Sequence, residues 1–208
     1  MRRHTRARPW EIALAVGLTL AVAAGHLLDR EAAALSNRVL RLHVVAHTDD
    51  PADQAVKLKV RDRVLAYAAP LVADAANPAD AAVRLRAHLP ALEDEARAVL
   101  RAEGFDLPAR AEFTDMFFPT KTYPGFALPA GSYEALRITL GDGGGQNWWC
   151  VVFPPLCLAA SGETVTQTAL TGGLTPSQTD LITGKNEVYV LKFKCLEWWA
   201  ACRTFFSG

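Results

Sequence analysis

The 208 residues predict an α+β fold: a single domain whose helices pack on one face of a largely antiparallel sheet, after an N-terminal signal or anchor helix. Three observations predict it. The length fits one domain. A strand-like stretch near residue 40 is followed by a helical block over 51–103 and then by several more strands, an order that segregates helices from strands. Apolar residues make up 50% and charged residues 21%, which excludes a mostly disordered chain and a multi-span membrane protein.

Charge divides the chain. Lys+Arg and Asp+Glu both number 22, so no overall basic excess points to nucleic acid. Residues 1–25 carry Arg2, Arg3, Arg6 and Arg8 against Glu11 alone, leaving 18 basic and 21 acidic residues in the remainder. After this basic segment, Ile12 to Gly25 is a run of 14 uncharged residues. A helical span needs about 20 apolar residues, so 14 lies in the signal-peptide range, and cleavage after Ala23 fits the small residues there. Read from Trp10 to Leu28 with His26 neutral, the same run makes an uncleaved anchor; a buried core helix is the third reading. Residues 1–28 are therefore expected to target or anchor the chain, with the rest outside the cytoplasm, secreted or single-pass anchored.

Ala32 to Asn37 reads as a linker. Val39 to Ala46 alternates, with Leu40, Leu42, Val44 and Ala46 on one side, and predicts a strand with one well-buried face. Asp50 can cap a helix that has Pro51 at its first position, where no amide hydrogen is needed. Val56, Val60, Val64, Tyr67 and Leu71 recur at helical spacing, and Asp53 and Lys57 form an i,i+4 surface pair. Asn77-Pro78 repeats the cap-then-proline signal before Ala81, Ala82, Leu85 and Leu89. Pro90 interrupts, Leu92, Ala96, Val99 and Leu100 begin another stripe, and Gly104 ends it.

Strand character returns at Ala109 to Thr114. Phe117 to Gly131 holds three prolines and cannot be regular throughout. Tyr133 to Leu140 alternates, and Gly141 to Gly145 reads as a hairpin turn. Trp148 to Phe153 is apolar on both faces and reads as a central strand. Ala159 to Lys185 is rich in Thr, Ser and Gly and reads as a loop or weakly ordered segment, followed by a last strand at Val188 to Phe193 and a short aromatic helix from Leu196 to Phe206. The expected divisions are 1–28, a domain over 38–158, and a C-terminal extension over 159–208.

The chemistry-bearing residues are few. The glycines at 141–145 lack the Lys-Ser/Thr of a phosphate-binding loop and precede a strand. Asp49, Asp50 and Asp53 suggest carboxylate chemistry, but capping and surface pairing account for two of them. Cys150, Cys157, Cys195 and Cys202 allow three pairings in an oxidising compartment. Their C-x6-C spacings are too wide for the usual zinc knuckle. If Cys195 and Cys202 share a helix, two turns (about 10 Å) keep them from bonding each other. Cys150 with His43 or His47 is a candidate thiol nucleophile and base; a zinc site from His43, His47, Cys150 and Cys157 is a weaker reading. No catalytic, metal or cofactor site is expected. Aromatic residues such as Trp148, Trp149, Phe117, Phe118 and Tyr123 are enriched at interface hot spots.

Several stretches together resemble the stage II sporulation protein R family. They are Leu42-His43-Val44-Val45-Ala46-His47-Thr48-Asp49, the run Asp53 to Asp62, Phe118-Pro119-Thr120-Lys121, Leu128 to Arg137, and Gly145-Gln146-Asn147-Trp148-Trp149-Cys150 through Cys157. They cover about residues 40–158 in order. The family more often has Asn-Ser where this chain has His47-Thr48, and 159–208 carries only a weak likeness at Val188 to Glu197. The resemblance implies a sporulation signalling protein rather than an enzyme. Such a protein is made in the forespore and exported into the space between forespore and mother cell. There it activates a membrane-embedded aspartic-type protease of the mother cell, which processes the pro-form of the early mother-cell sigma factor. An exported thiol-dependent envelope enzyme using Cys150 with His43 or His47 is the alternative.

On this reading Phe117, Phe118, Lys121 and Tyr123, with Trp148 or Trp149, are the candidate surface for the protease. The competing reading is a lid that buries those aromatics over the core. The Pro154-Pro155 bend is expected to bring Cys150 and Cys157 together as a disulfide.

Overall fold

The computed structural model describes residues 8–158 and 162–184. Helix α1 (Pro9–Ser36) leads into strand β1 (Leu40–Val45), then come helices α2 (Pro51–Val72), α3 (Pro78–Ala87) and α4 (Leu89–Ala102). Strands β2 (Ala109–Phe118), β3 (Lys121–Tyr123), β4 (Phe126–Leu128), β5 (Gly131–Leu140) and β6 (Asn147–Phe153) follow, and a single 3-10 turn (Leu156–Leu158) leads to helices α5 (Gly162–Thr171) and α6 (Pro176–Thr183).

The fold is α+β, as the sequence predicts, with three helices in the block after β1 and Gly104 at φ 82° just beyond α4. Asn77 caps α3 by accepting from the Asp80 amide at 2.9 Å. The start of α2 differs from expectation. Asp50 holds the cap position, but its carboxylate makes no cap bond. Asp53 reaches back instead, accepting from the Thr48 amide at 3.0 Å and the Thr48 hydroxyl at 2.5 Å. Lys57 donates to Gln54 Oε1 at 2.6 Å and to the Gln146 carbonyl at 2.9 Å. Asp53 and Lys57 are both buried, so in place of the expected surface pair they join one buried network through Gln54, whose Nε2 donates to the Thr48 carbonyl at 2.8 Å.

The main sheet has the order β2-β5-β1-β6 and is mixed, not largely antiparallel. β2–β5 and β1–β6 are antiparallel, whereas the central pair β1–β5 is parallel. β1 is the strand buried on both faces, Arg41 and His43 included. β6, expected in the centre, is an edge strand whose two faces are both covered by other layers. β5 and β6 flank β1, so Gly141 to Gly145 is no hairpin turn: it crosses the end of β1. The Gly144 and Gly145 amides donate to the His47 and Ala46 carbonyls at 3.0 Å each. A side chain at Gly145 would bring its Cβ within 2.2 Å of the Thr48 carbonyl oxygen, which is why the crossover needs glycine there.

Helices lie on both faces, not one. On the first face α2, α3 and α4 bury Leu40, Leu42, Val44, Leu136, Ile138 and Leu140. On the second, Leu35 of α1, the β3–β4 hairpin, α5 and α6 close over Phe118, Tyr133, Ala135 and Val151. The expected loop at 159–185 thus contains two helices, and Val165, Ala169, Leu174 and Ile182 from this region join the second core. The linker expected at 32–37 is instead the last stretch of α1. The strand and helix expected over 188–206, with Cys195 and Cys202, lie outside the described residues.

The earlier part of α1 is bare. Leu14 is 63% and Leu20 64% exposed, with Ile12, Val16 and Leu18 also on the surface, so this stretch is not a core helix. Among the described residues no helix is long and apolar enough to cross a membrane.

Candidate partner-binding face

The second face carries the polar chemistry of the sheet. Alternation along β1 turns Leu40, Leu42 and Val44 towards α2–α4, and therefore turns Arg41 and His43 the other way. Arg41 is fully buried. Its Nε donates to the Cys150 carbonyl at 3.2 Å, and its Nη2 donates to the Tyr123 hydroxyl at 2.7 Å. The Tyr123 hydroxyl in turn donates to the Trp149 carbonyl at 3.0 Å. The guanidinium carbon lies 4.2 Å from the Phe118 ring centroid and 5.0 Å from that of Tyr133. No salt bridge joins Arg41 to a carboxylate among the described residues; ring faces and carbonyls hold the cation instead. Burial lowers the Arg41 pKa and raises that of the Tyr123 phenol. Burial likewise raises the Tyr133 phenol, whose hydroxyl donates to the Pro129 carbonyl at 2.8 Å.

His43, beside Arg41, is also buried, with Nε2 2.7 Å from Asn147 Oδ1. Burial pulls its pKa below the usual imidazole value, Asn147 opposes, and the Arg137 and Arg41 cations lower it further. At the C-terminal end of β1, Asp49 accepts from the Gln146 amide at 2.7 Å, and His47 Nδ1 accepts from the Asp142 amide at 3.0 Å. Burial lowers the Lys57 pKa, partly offset by Asp49. These groups fasten the crossover to the start of α2.

The aromatic segment proves to be ordered structure. β2 runs on to Phe118, and each proline sits at a turn: Pro119 between β2 and β3, Pro124 beside Gly125 at φ 82°, and Pro129 between β4 and β5. The candidate interface residues divide accordingly. Phe118 is fully buried, edge-on to Tyr133 at 5.7 Å, and so belongs to the core. Tyr123 is half-buried, stacked on the buried Phe126 at 4.7 Å. Phe117 is 55% exposed, and Lys121 is exposed with Nζ 5.5 Å from the Trp149 ring. Trp148 and Trp149 are half-buried on opposite faces, Trp148 beneath Arg61 at 4.4 Å. The accessible part of the set is thus Phe117, Lys121 and the partly open rings of Tyr123, Trp148 and Trp149.

Cys150 and Cys157 are joined, with an S–S distance of 2.05 Å and Cα atoms 6.1 Å apart. Cys150 opposes Leu42 and packs in the first-face core, whereas His43 points to the second face and His47 lies beyond the end of β1. The pairing of Cys150 with either histidine for thiol chemistry is therefore not assembled, and the bonded sulfur offers no thiolate. His43, His47, Cys150 and Cys157 do not converge as zinc ligands, and no metal-holding cluster occurs among the described residues. The disulfide does line a groove of about 320 Å³ beside β6, together with Arg61, Leu65, Tyr123, Phe126 and Trp148. Sequence reasoning missed Arg41 and Arg137 on the second face. The available signal for Arg41 was a charged residue in the middle of an otherwise apolar strand.

Comparison with known proteins matches residues 36–163 to the family model for stage II sporulation protein R (spore_II_R). The chain is 36% identical over 139 residues to stage II sporulation protein R of Bacillus subtilis (strain 168), a match covering 66% of this chain and 62% of that protein. The chain thus spans less than two thirds of the length of that curated relative. No solved structure matches it. The chain belongs to the stage II sporulation protein R family.

Proposed function

We propose that this member of the stage II sporulation protein R family is an exported signal between the two compartments of a sporulating cell, and not an enzyme. Made in the forespore, it crosses the forespore membrane by its N-terminal segment and acts from the intermembrane space. There it activates a membrane-embedded aspartic-type protease of the mother cell, which then processes the pro-form of the early mother-cell sigma factor. The observation that carries this reading is the family match over 36–163, which takes in β1 through β6 and both faces of the sheet. Two others support it. The exposed apolar stretch of α1 follows a basic segment, the arrangement of a targeting or anchoring helix. The thiol enzyme loses its support because Cys150 is bonded and faces away from both histidines.

The test is complementation. In sporulating cells that lack their own stage II sporulation protein R, the full chain expressed in the forespore should restore sigma-factor processing on an immunoblot. Leu14→Arg with Leu18→Arg should abolish that restoration without destabilising the domain. Normal accumulation of the chain without processing would refute the proposal. A periplasm-type reporter fused after Gly208 should be active; a reporter active only in the cytoplasm would contradict export.

A further inference from the structure

We propose that the second sheet face between Lys121 and Arg137 receives a carboxylate side chain from an acidic segment of the protein partner. This deepens the reading of the chain as a protein ligand and rests on it. Strand register sets Glu112, Arg137, His43 and Trp149 in one row across β2, β5, β1 and β6. Among the described residues three nitrogens of that row, Arg137 Nε, His43 Nδ1 and Trp149 Nε1, are buried without a hydrogen-bond partner, and Arg41 Nη1 in the adjacent row is a fourth. Native structures leave few buried polar atoms unpaired, so four on one face of three neighbouring strands call for an explanation. Arg137 Nε, Trp149 Nε1 and Arg41 Nη1 are obligate donors, so the group that completes them is an acceptor.

Charge points the same way. Arg41, Arg137 and Lys121 stand around the row, and its only carboxylate is Glu112, 3.8 Å from Arg137 Nη1. Arg137 keeps about a third of its side chain exposed, Lys121 is exposed and the Trp149 ring is half-buried, so the rim can be reached from solvent. On the Arg137 side a cavity of about 550 Å³, where Glu93, Glu112 and Asp142 stand among Arg97, Arg110 and Arg137, opens towards Arg110, which is exposed and in no ion pair among the described residues. A planar carboxylate matches the guanidinium fork of Arg137. An anionic membrane surface would ask for a broad basic patch, whereas residues beyond 25 carry 18 basic against 21 acidic groups.

The probe is a hexaglutamate peptide, titrated calorimetrically at low salt into the full chain held in neutral detergent. Wild type should bind it and ignore hexaglutamine. Arg137→Gln with Lys121→Gln should weaken binding at least tenfold, Arg137→Lys should retain part of it, and all should melt within about 2 °C of wild type. Hexaglutamate binding that is absent from wild type, or unchanged in the double variant, overturns the proposal. So does binding to phosphatidylglycerol vesicles that the double variant loses while its peptide binding persists. The complementation assay separates this inference from the functional reading. A double variant that loses peptide binding yet restores processing fully overturns the docking role alone. Wild type that binds hexaglutamate but restores no processing overturns the activator reading and leaves the acidic site standing.

Discussion

Under α2, α3 and α4 the sheet offers Leu40, Leu42, Val44, Leu136, Ile138 and Leu140, and the core there is almost wholly aliphatic. The reverse of the same strands offers Arg41, His43, Tyr133 and Arg137 beneath a hairpin, the end of α1 and two short helices. The first face is satisfied mainly by size and shape, with the Trp148 indole N–H unpaired among the described residues, and it tolerates volume-conserving exchange. The second needs each polar atom to find a particular partner, and several have none. Both sides of the sheet are therefore core, but only the second is built around buried cations and their partners.

The largest expected effect tests whether the second face is core at all. Phe118 is fully buried and lies over the Arg41 guanidinium. Phe118→Ala should cost about 3–5 kcal/mol, comparable with about 2–5 kcal/mol for Leu136→Ala on the aliphatic face. Chemical denaturation of both variants makes the comparison. A Phe118→Ala domain that unfolds like wild type would mean the hairpin is a loose cover.

A second effect, of about 2–3 kcal/mol, belongs to the bond between Cys150 and Cys157, which ties edge strand β6 to the turn behind it. Comparing oxidised and reduced chain by thermal melting reads it, with mass spectrometry under non-reducing conditions confirming the bond. Identical melts in a chain shown to be oxidised would remove the bond from the forces holding β6.

Next comes Tyr123→Phe, which keeps the ring stacked on Phe126 but deletes the hydroxyl linking Arg41 to the Trp149 carbonyl. Leaving a buried cation one partner short should cost about 1–3 kcal/mol. The counterpart beside the aliphatic core is Tyr67→Phe, which deletes a hydroxyl 3.0 Å from His88 Nδ1. Arg41→Met alongside Tyr123→Phe should recover much of the loss if the cost is the unmet cation, because removing both partners together can be nearly neutral.

These features were unequally legible in the sequence. Alternation at 39–46 and the cap-then-proline signals at Asp50-Pro51 and Asn77-Pro78 located β1, α2 and α3, because both are local rules. The same signal stands at Thr175-Pro176, where the Thr175 hydroxyl accepts from the Gln178 amide at the start of α6. The surrounding Thr, Ser and Gly hid it. The parallel pairing of β1 with β5 joins residues more than 90 positions apart, and no periodicity reports it. β6 looked central because it is apolar on both faces; that pattern records how many faces are covered, not how many strands adjoin. Asp53 and Lys57 looked like surface residues because i,i+4 spacing is a helix-surface rule. Their burial comes from the crossover at 141–146, a tertiary contact. Of the candidate interface, proline content said where the segment turns but not which rings turn inward.

A pH dependence should separate the faces further. Free imidazole takes up a proton near pH 6.5. His43 in the fold does so only at lower pH, because burial and the Arg137 and Arg41 cations disfavour its charged form. Between those two values the unfolded chain binds more protons, so stability should fall as pH drops below about 6.5 and level off below the folded value. The groups facing His43 include Arg41, Arg137 and Asn147. His43→Gln should flatten that part of the stability profile measured by denaturation; an unchanged slope would assign the acid sensitivity to other groups.

The smallest effect on stability, and the one that bears most on function, is expected at Phe117. It precedes Phe118 on β2, so strand geometry sends the two rings to opposite faces. Phe118 meets Arg41, whereas Phe117 remains 55% exposed. Phe117→Ala should therefore change stability by no more than about 0.5 kcal/mol. If exposed aromatics near the hairpin engage the protease, the same variant should lower sigma-factor processing in the complementation assay, as hot-spot rings do when truncated. Phe118→Ala should lose processing too, but in step with its loss of folded protein. Measured together, folded fraction and processing should fall in parallel for Phe118→Ala and diverge for Phe117→Ala. If Phe117→Ala keeps full processing, the exposed end of β2 on the first face is not part of the contact, and the Lys121–Arg137 row on the second face has to be tested by itself.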